Sequence, residues 1–176
     1  MNSIKHTRGF DIARPIEQVF PLFSPEGEKL WAPGWNYENV MGDIELSENY
    51  VFLTRSHDHA AAKAIWLVKR YRPDEGFIEF YRVEPEEKIG LVTVHCSDTI
   101  KDKTHVKVSY EYIAISEKGR EFIESFTLER YEHFIDEWKV LLDRYFDSAV
   151  TTCPRRTLGS STAPMSKPGV QGKPII

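Results

Sequence analysis

The stretch SEKGREFIESFTLERYEHFIDEWKVLLDRYF, residues 116–146, repeats apolar side chains at helical spacing over about eight turns. At about 100° per residue, one face collects its large apolar residues: Ile123, Phe126, Tyr131, Phe134, Ile135, Trp138, Leu141, Leu142 and Tyr145. The opposite face is charged, so the pattern predicts one long amphipathic helix with a single buried side. That side is rich in aromatic rings rather than in the leucines of a coiled coil, which favours a sheet or a cavity as its partner.

The segment before this helix, residues 37–115, alternates apolar and polar side chains as strands do. Short polar breaks separate six strand-like runs: residues 37–46, 50–56, 62–71, 77–83, 89–100 and 105–115. Because breaks this short cannot cross over to a parallel neighbour, we expect an antiparallel meander. In the last run Val106, Val108, Tyr110 and Tyr112 share one side, and we expect the long helix to lie against it.

The N-terminal segment supplies one more strand and two short helices. Residues 4–13 alternate as a strand that ends where Pro15 removes a backbone donor. Pro15 also suits the first turn of a short helix, and Ser24 is a suitable cap for a second one over residues 25–31. The whole chain therefore predicts an α+β fold, with an antiparallel sheet of about seven strands and a long C-terminal helix.

Composition bounds the classes of function. With 23 Lys and Arg residues against 27 Asp and Glu residues, the net charge of -4 gives no electrostatic case for a nucleic-acid partner. Cys96 and Cys153 are too few for a disulfide framework and match no metal-binding spacing. The sequence has no apolar run of the length that a membrane span needs. We expect a cytoplasmic protein that uses no cofactor.

The last thirty or so residues differ in composition from the rest of the chain. Prolines recur among Ser, Thr, Gly and Lys without an apolar period, at Pro154, Pro164, Pro168 and Pro174. We therefore expect one domain over residues 1–146, followed by a disordered tail over residues 147–176.

Several local sequences resemble one known superfamily. They are FDIARPIEQVF at 10–20, GEKLW at 27–31, PGW at 33–35, VSYEY at 108–112 and SEKG at 116–119. Together with the order of elements, they resemble the START-like (SRPBCC) superfamily, which includes polyketide cyclases and lipid-transfer proteins. The resemblance covers about residues 3–146. It implies a helix-grip domain, in which a curved sheet wraps around the C-terminal helix and leaves a cavity for a hydrophobic ligand.

Binding of a small hydrophobic molecule, lipid-like or polyketide-like, is the function that this resemblance favours. Candidate ligand-binding residues are the aromatic side chains expected inside the grip or at its mouth: Trp31, Trp35, Trp66, Tyr110, Tyr112, Phe134 and Trp138. Ordinary core packing is the default explanation for each of them. The sequence also leaves open an enzyme of the polyketide cyclase or dehydrase type in the same cavity, and a co-chaperone-like interaction module.

Polar residues offer few catalytic candidates. The densest histidine group, His57-Asp58-His59, falls at a hairpin turn without a third ligand, so we expect no metal site there. His95 lies within a strand, and the more apolar parity of its neighbours favours an outward side chain. If it points inward, it is the best general base in the chain. Arg55 and Arg70 are candidates to bind an enolate or a carboxylate, although strand arginines are usually solvated.

Overall fold

The computed structural model describes residues 1–42, 44–54, 63–100 and 102–151, with only the backbone for 149–151. Seven strands are described: β1 (Ser3–Ile12), β2 (Tyr37–Asn39), β3 (Val51–Thr54), β4 (Ala64–Arg72), β5 (Phe77–Glu84), β6 (Lys88–Ile100) and β7 (Lys103–Ala114). The α-helices are α1 (Ile16–Val19), α2 (Pro25–Trp31), α3 (Glu117–Ser125) and α4 (Leu128–Thr151). Two short 3-10 turns, Phe20–Phe23 and Pro73–Glu75, complete the described elements.

All seven strands form one antiparallel sheet in the order β1-β7-β6-β5-β4-β3-β2. The predicted meander is therefore confirmed for β2 to β7, and β1 joins it by pairing with β7. The chain reaches β2, at the opposite edge from β1, through α1 and α2. Register shifts interrupt β4 between Val68 and Arg70 and β6 between Asp98 and Ile100. Such bulges increase local twist, which suits a sheet that curves around a helix.

The two short helices follow their local sequence signals. Ser24 caps α2, its side chain accepting a hydrogen bond from the Gly27 N–H at 2.9 Å. Gly27 lies against the preceding turn so closely that a Cβ there would come within 2.2 Å of the Pro21 carbonyl oxygen. Trp31, at the end of α2, is buried in the core. The cap and the glycine together explain how α2 packs tightly enough to put Trp31 inside.

The predicted single helix over residues 116–146 is divided in the structure. At its first break, Phe126 leaves helical geometry with φ -84° and ψ 64°. Thr127 then starts α4, since its hydroxyl accepts from the Arg130 N–H at 3.3 Å. Periodicity did not reveal this boundary because Phe126 still faces the core. At its other end α4 continues to Thr151, since no proline or glycine interrupts residues 147–151.

One face of α4 packs on the inner face of the sheet. Tyr131, Ile135, Trp138 and Leu142 recur at helical spacing and are almost fully buried. The Tyr131 hydroxyl donates a hydrogen bond to the Val108 carbonyl oxygen at 2.8 Å, which fixes the start of α4 against β7.

The flank of α4 is tied to the first strand by charge. Arg8 on β1 donates two hydrogen bonds to the Asp136 carboxylate, each at 2.8 Å. Arg8 also lies 3.0 Å from the Glu132 carboxylate. These pairs join the exposed flank of α4 to the edge strand of the sheet.

The strand expected over residues 37–46 is short, because β2 ends at Asn39 and Gly42 then adopts φ 73°. The tail beyond Thr151 lies outside the described residues, so its disorder stays a prediction. Across the described part of the chain, no helix is long and apolar enough to span a membrane.

Candidate functional site

Aromatic rings from α2, the sheet and α4 form a connected cluster between helix and sheet. The rings of Trp31 and Trp138 are 5.4 Å apart, and Trp138 lies 5.4 Å from Phe134. Tyr110 on β7 joins both helical rings, at 5.8 Å from Phe134 and 6.4 Å from Trp138. Tyr112 follows at 5.8 Å from Tyr110. Five of the seven predicted aromatic candidates are therefore brought into one contiguous set.

The other two candidates, Trp35 and Trp66, belong to a second group of rings on the β3 and β4 side. Their ring centroids are 6.1 Å apart, and both lie within 6.4 Å of the Phe52 ring. Trp66 is buried, whereas Trp35, like Phe134, is half-buried. Arg82 lies between this group and Tyr112, and so links the two halves of the aromatic lining.

The indole N–H groups divide the tryptophans into two kinds. Three of the four are satisfied: Trp31 donates to Leu22 O at 2.8 Å, Trp35 to Pro25 O at 2.8 Å and Trp66 to Thr54 Oγ1 at 2.9 Å. Trp138 Nε1 is buried and has no hydrogen-bond partner among the described residues. Since buried polar groups are nearly always paired, this N–H is the polar feature of the cluster that calls for a function.

Arg82 on β5 places a cation on the inner face of the sheet. Backbone pairing puts Trp66, Arg82, Gly90 and Tyr112 side by side across four strands. The Arg82 guanidinium lies 5.3 Å from the Trp66 ring and donates to the Tyr112 hydroxyl at 3.4 Å. Its Nη2 is 2.7 Å from Glu84 Oε1, while its buried Nε has no hydrogen-bond partner among the described residues.

Gly90 creates the space in which the Tyr112 ring lies. A Cβ at Gly90 would come within 2.9 Å of Tyr112 Cε1 and 3.5 Å of Arg82 Cβ. The ring cannot easily move aside, because Phe122 and Phe126 contact it edge-on at 5.0 and 5.1 Å. Glycine at this position therefore sets the approach of Tyr112 to Arg82.

A chain of charges continues from Arg82 towards α3. Glu84 pairs with Lys88, which also pairs with Glu87. Lys88 is almost fully buried, and its ammonium group lies 3.9 Å from the Phe122 ring on α3. Such a buried network is costly to break from one side, so it holds α3 in place and keeps the Glu84 carboxylate beside Arg82.

Titration properties separate the interior polar groups. Burial raises the pKa of Glu28, on the same side of α2 as Trp31, well above its ordinary value. Burial also raises the pKa of Tyr110 well above its usual range, with the nearby charges of Tyr112 and Glu28 adding to it. For Tyr112, burial raises the pKa while Arg82 acts in the opposite direction. Both phenols therefore keep their protons at neutral pH and can donate hydrogen bonds.

The architecture matches solved structures of low sequence identity. Ara h 8.0201 superposes with a TM-score of 0.60 at 10% identity, covering 85% of this chain and 99% of that one. Ginseng major latex-like protein 151 from Panax ginseng gives 0.58 at 16% identity, over 85% and 98% of the two chains. Norcoclaurine synthase from Thalictrum flavum, in complex with dopamine and hydroxybenzaldehyde, gives 0.57 at 15% identity, over 80% and 87%.

The chain has the START-like helix-grip fold. The resemblance inferred from short sequence words is thus confirmed at the level of the fold. No family model and no curated protein matches the sequence. At identities of at most 16%, these likenesses extend to the START-like fold and not to the chemistry of the interior.

The START-like sheet separates the inner residues from the predicted polar candidates. His95 is exposed on the outer face of β6, with its ring 5.9 Å from Phe77, so its inward alternative is not realised. Arg70 is also exposed, and lies 3.6 Å from Glu79 rather than inside the grip. Arg55 and the group His57-Asp58-His59 lie outside the described residues. Within the described ranges, no three His, Cys, Asp or Glu side chains are grouped as metal ligands.

Arg82 and Glu28 were not predicted as site residues from the sequence. Arg82 has the same strand parity as the buried Ile78 and Phe80, and this parity predicts a position on the inner face of the sheet. Glu28 precedes Trp31 by one helical turn, which puts both residues on one side of α2. Each was overlooked because a charged residue is normally assigned to the solvent side of its element.

Proposed function

We propose that the protein binds a small, mainly apolar molecule between the inner face of the sheet and α4. The observation that carries this proposal is the buried, unpartnered indole N–H of Trp138 among the described residues, inside a cluster of aromatic rings. A bound ligand with a hydrogen-bond acceptor would satisfy this donor. The rings around it would supply the apolar contacts.

The affinity of such binding would come mainly from the apolar surface that the aromatic rings bury. A ligand that buries about 300 Å² of apolar surface gains roughly 7 kcal/mol from the hydrophobic effect, before the entropic cost of association. Selectivity then depends on the few polar atoms of the interior. Trp138 Nε1 and the Tyr110 hydroxyl are two such groups that can orient a molecule held mainly by its apolar surface.

A solved structure with the same fold supports small-molecule binding by analogy. The norcoclaurine synthase structure is a complex with dopamine and hydroxybenzaldehyde, which are small aromatic molecules. The identity of 15% transfers no substrate to this chain. The presence of these molecules in that complex nevertheless makes a small-molecule site an expectation for a helix-grip fold with an aromatic lining.

The first test is native mass spectrometry of gently purified protein, followed by extraction and identification of any bound molecule. The second is fluorescence titration with the neutral probe N-phenyl-1-naphthylamine. We expect one probe per chain, displaced competitively by the extracted molecule. The matched pair Tyr110→Phe and Tyr81→Phe removes one hydroxyl from the inner and one from the outer face. Only Tyr110→Phe should change how well an acceptor-bearing ligand displaces the probe. His95→Ala, on the outer face, should have no effect on this displacement.

Two results together would refute the binding function. They are a folded protein that carries no extractable passenger, and a titration in which the neutral probe does not bind. Binding that is unaffected by Tyr110→Phe but weakened by Tyr81→Phe would move the site to the outer face.

Glu28 and Tyr110 favour a second candidate, an enzyme of the cyclase or dehydrase type that acts in the same interior. A carboxyl group whose pKa is raised by burial can serve as a general acid when protonated and as a general base when ionised. Glu28→Gln should then abolish turnover of the extracted molecule while its affinity stays within a few-fold. Retained affinity with no conversion by the wild-type protein would leave binding as the function.

A further inference from the structure

The Arg82 guanidinium is incompletely neutralised on the inner face. Its one described ion pair is with Glu84, 2.7 Å away, and that carboxylate is shared with Lys88. The buried part of this chain of ion pairs holds two cations, Arg82 and Lys88, and two carboxylates, Glu84 and Glu87. Glu84 is shared with Lys88, so it does not neutralise Arg82 alone.

The guanidinium group of Arg82 has donors that its ion pair does not use. Nη2 faces Glu84, whereas the buried Nε has no partner among the described residues. Nη1 reaches the Tyr112 hydroxyl only at 3.4 Å, which is long for a hydrogen bond. The Tyr112 hydroxyl accepts that contact and keeps its own proton to donate. Two or more donors beside an aromatic wall form a site that suits an anion with a planar or branched acceptor group.

We propose that the ligand is an amphiphilic anion, whose acidic group binds Arg82 and Tyr112 and whose apolar body lies along Tyr110 towards Trp138. This inference rests on the proposed binding function and specifies its ligand class as small organic acids. Ring contacts connect the two ends, since Tyr110 is 5.8 Å from Tyr112 and 6.4 Å from Trp138. Trp66, 5.3 Å from the guanidinium, forms the wall on the other side.

A pair of fluorescent probes separates charge from apolar binding. The probe 8-anilinonaphthalene-1-sulfonate has the aromatic skeleton of N-phenyl-1-naphthylamine with an added sulfonate. With Arg82→Gln we expect the affinity for the sulfonate to fall about tenfold or more, because charge-assisted hydrogen bonds are lost. Affinity for the neutral probe should stay within about twofold. Arg70→Gln is the matched control, because it removes the same charge from an exposed arginine.

Equal losses for both probes, or an unchanged sulfonate affinity in Arg82→Gln, would overturn the anion site. If neither probe binds the wild-type protein, the binding function itself fails. If the neutral probe binds and the sulfonate does not, only the ligand class is wrong. Near-ultraviolet circular dichroism and thermal melting must first show that each variant is folded.

A second variant covers the possibility that Arg82→Gln does not fold. Glu84→Gln keeps the guanidinium and removes the carboxylate that competes with the ligand for it. The anion site then predicts an affinity for the sulfonate that rises about threefold or more, with the neutral probe unchanged. A sulfonate affinity that is unchanged or weaker would contradict the proposal.

Discussion

Trp138→Ala tests whether α4 is buried as the structure describes. The Trp138 side chain is 3% exposed, and the rings of Phe23, Trp31, Tyr110 and Phe134 lie 5.4 to 6.4 Å from it. A buried tryptophan removes about 200 Å² from water, which corresponds to roughly 5 kcal/mol at 25 cal/mol per Å². Partial relaxation of the cavity reduces this upper value, so we expect a loss of about 3 to 5 kcal/mol in the free energy of unfolding.

Urea denaturation followed by circular dichroism at 222 nm measures this loss. The protein must be freed of any bound molecule, because a ligand would add its own binding energy to the wild type. A loss below about 1 kcal/mol would refute the reasoning, since it would mean that the ring is not enclosed between α2, the sheet and α4.

Trp138→Phe is the companion variant. It retains an aromatic ring but removes the indole N–H that has no partner among the described residues. Removal of an unsatisfied buried donor relieves about 1 to 3 kcal/mol, which offsets part of the packing loss. We therefore expect less than half the cost of Trp138→Ala. Equal costs for the two variants would show that the N–H is satisfied in the folded protein.

Three further perturbations test other parts of the structure. Gly90→Ala should cost about 1 to 3 kcal/mol in urea denaturation, because its Cβ would come within 2.9 Å of the confined Tyr112 ring; a neutral effect would show that the ring can move. Tyr131→Phe should cost about 1 kcal/mol, through loss of the hydrogen bond to Val108 O, and an unchanged stability would contradict that anchor. In Glu28→Gln, thermal melts across pH test the raised pKa. The native carboxyl holds its proton above the unfolded pKa, so wild-type stability declines as pH rises from there to the folded pKa. Glu28→Gln should lack this decline. Stability profiles against pH that run parallel for the variant and the wild type would refute the raised pKa of Glu28.

Much of the architecture could be predicted from the sequence, because the spacing of apolar residues shows which side of a helix or strand is buried. The parity of Val106, Val108, Tyr110 and Tyr112 correctly assigned the inner face of β7. The helical spacing of the apolar residues in α4 correctly assigned its buried side. Short polar breaks between strands excluded parallel connections, and so determined the order of the meander.

The ends of α3 and β2 were harder to predict, because the side-chain pattern continues where the backbone geometry changes. The end of α3 at Phe126 was not predicted, since that residue continues the apolar period while its backbone leaves the helix. The early end of β2 was missed because residues 40–46 still alternate in polarity. In both cases, backbone geometry rather than side-chain pattern ends the element.

The sequence by itself determined the α+β class, the antiparallel order of the strands and the faces that meet. Only the tertiary structure decided which polar groups enter the interior. Register across β5 to β7 brings Arg82 and Tyr112 to either side of Gly90. The half-buried Glu28 of α2 comes close enough to Tyr110 for its charge to raise the pKa of that phenol. The periodic spacing of apolar residues indicates whether a residue is buried, because burial depends mainly on the helix or strand to which the residue belongs. The partners of a buried charge depend on register and packing between elements that are distant in sequence.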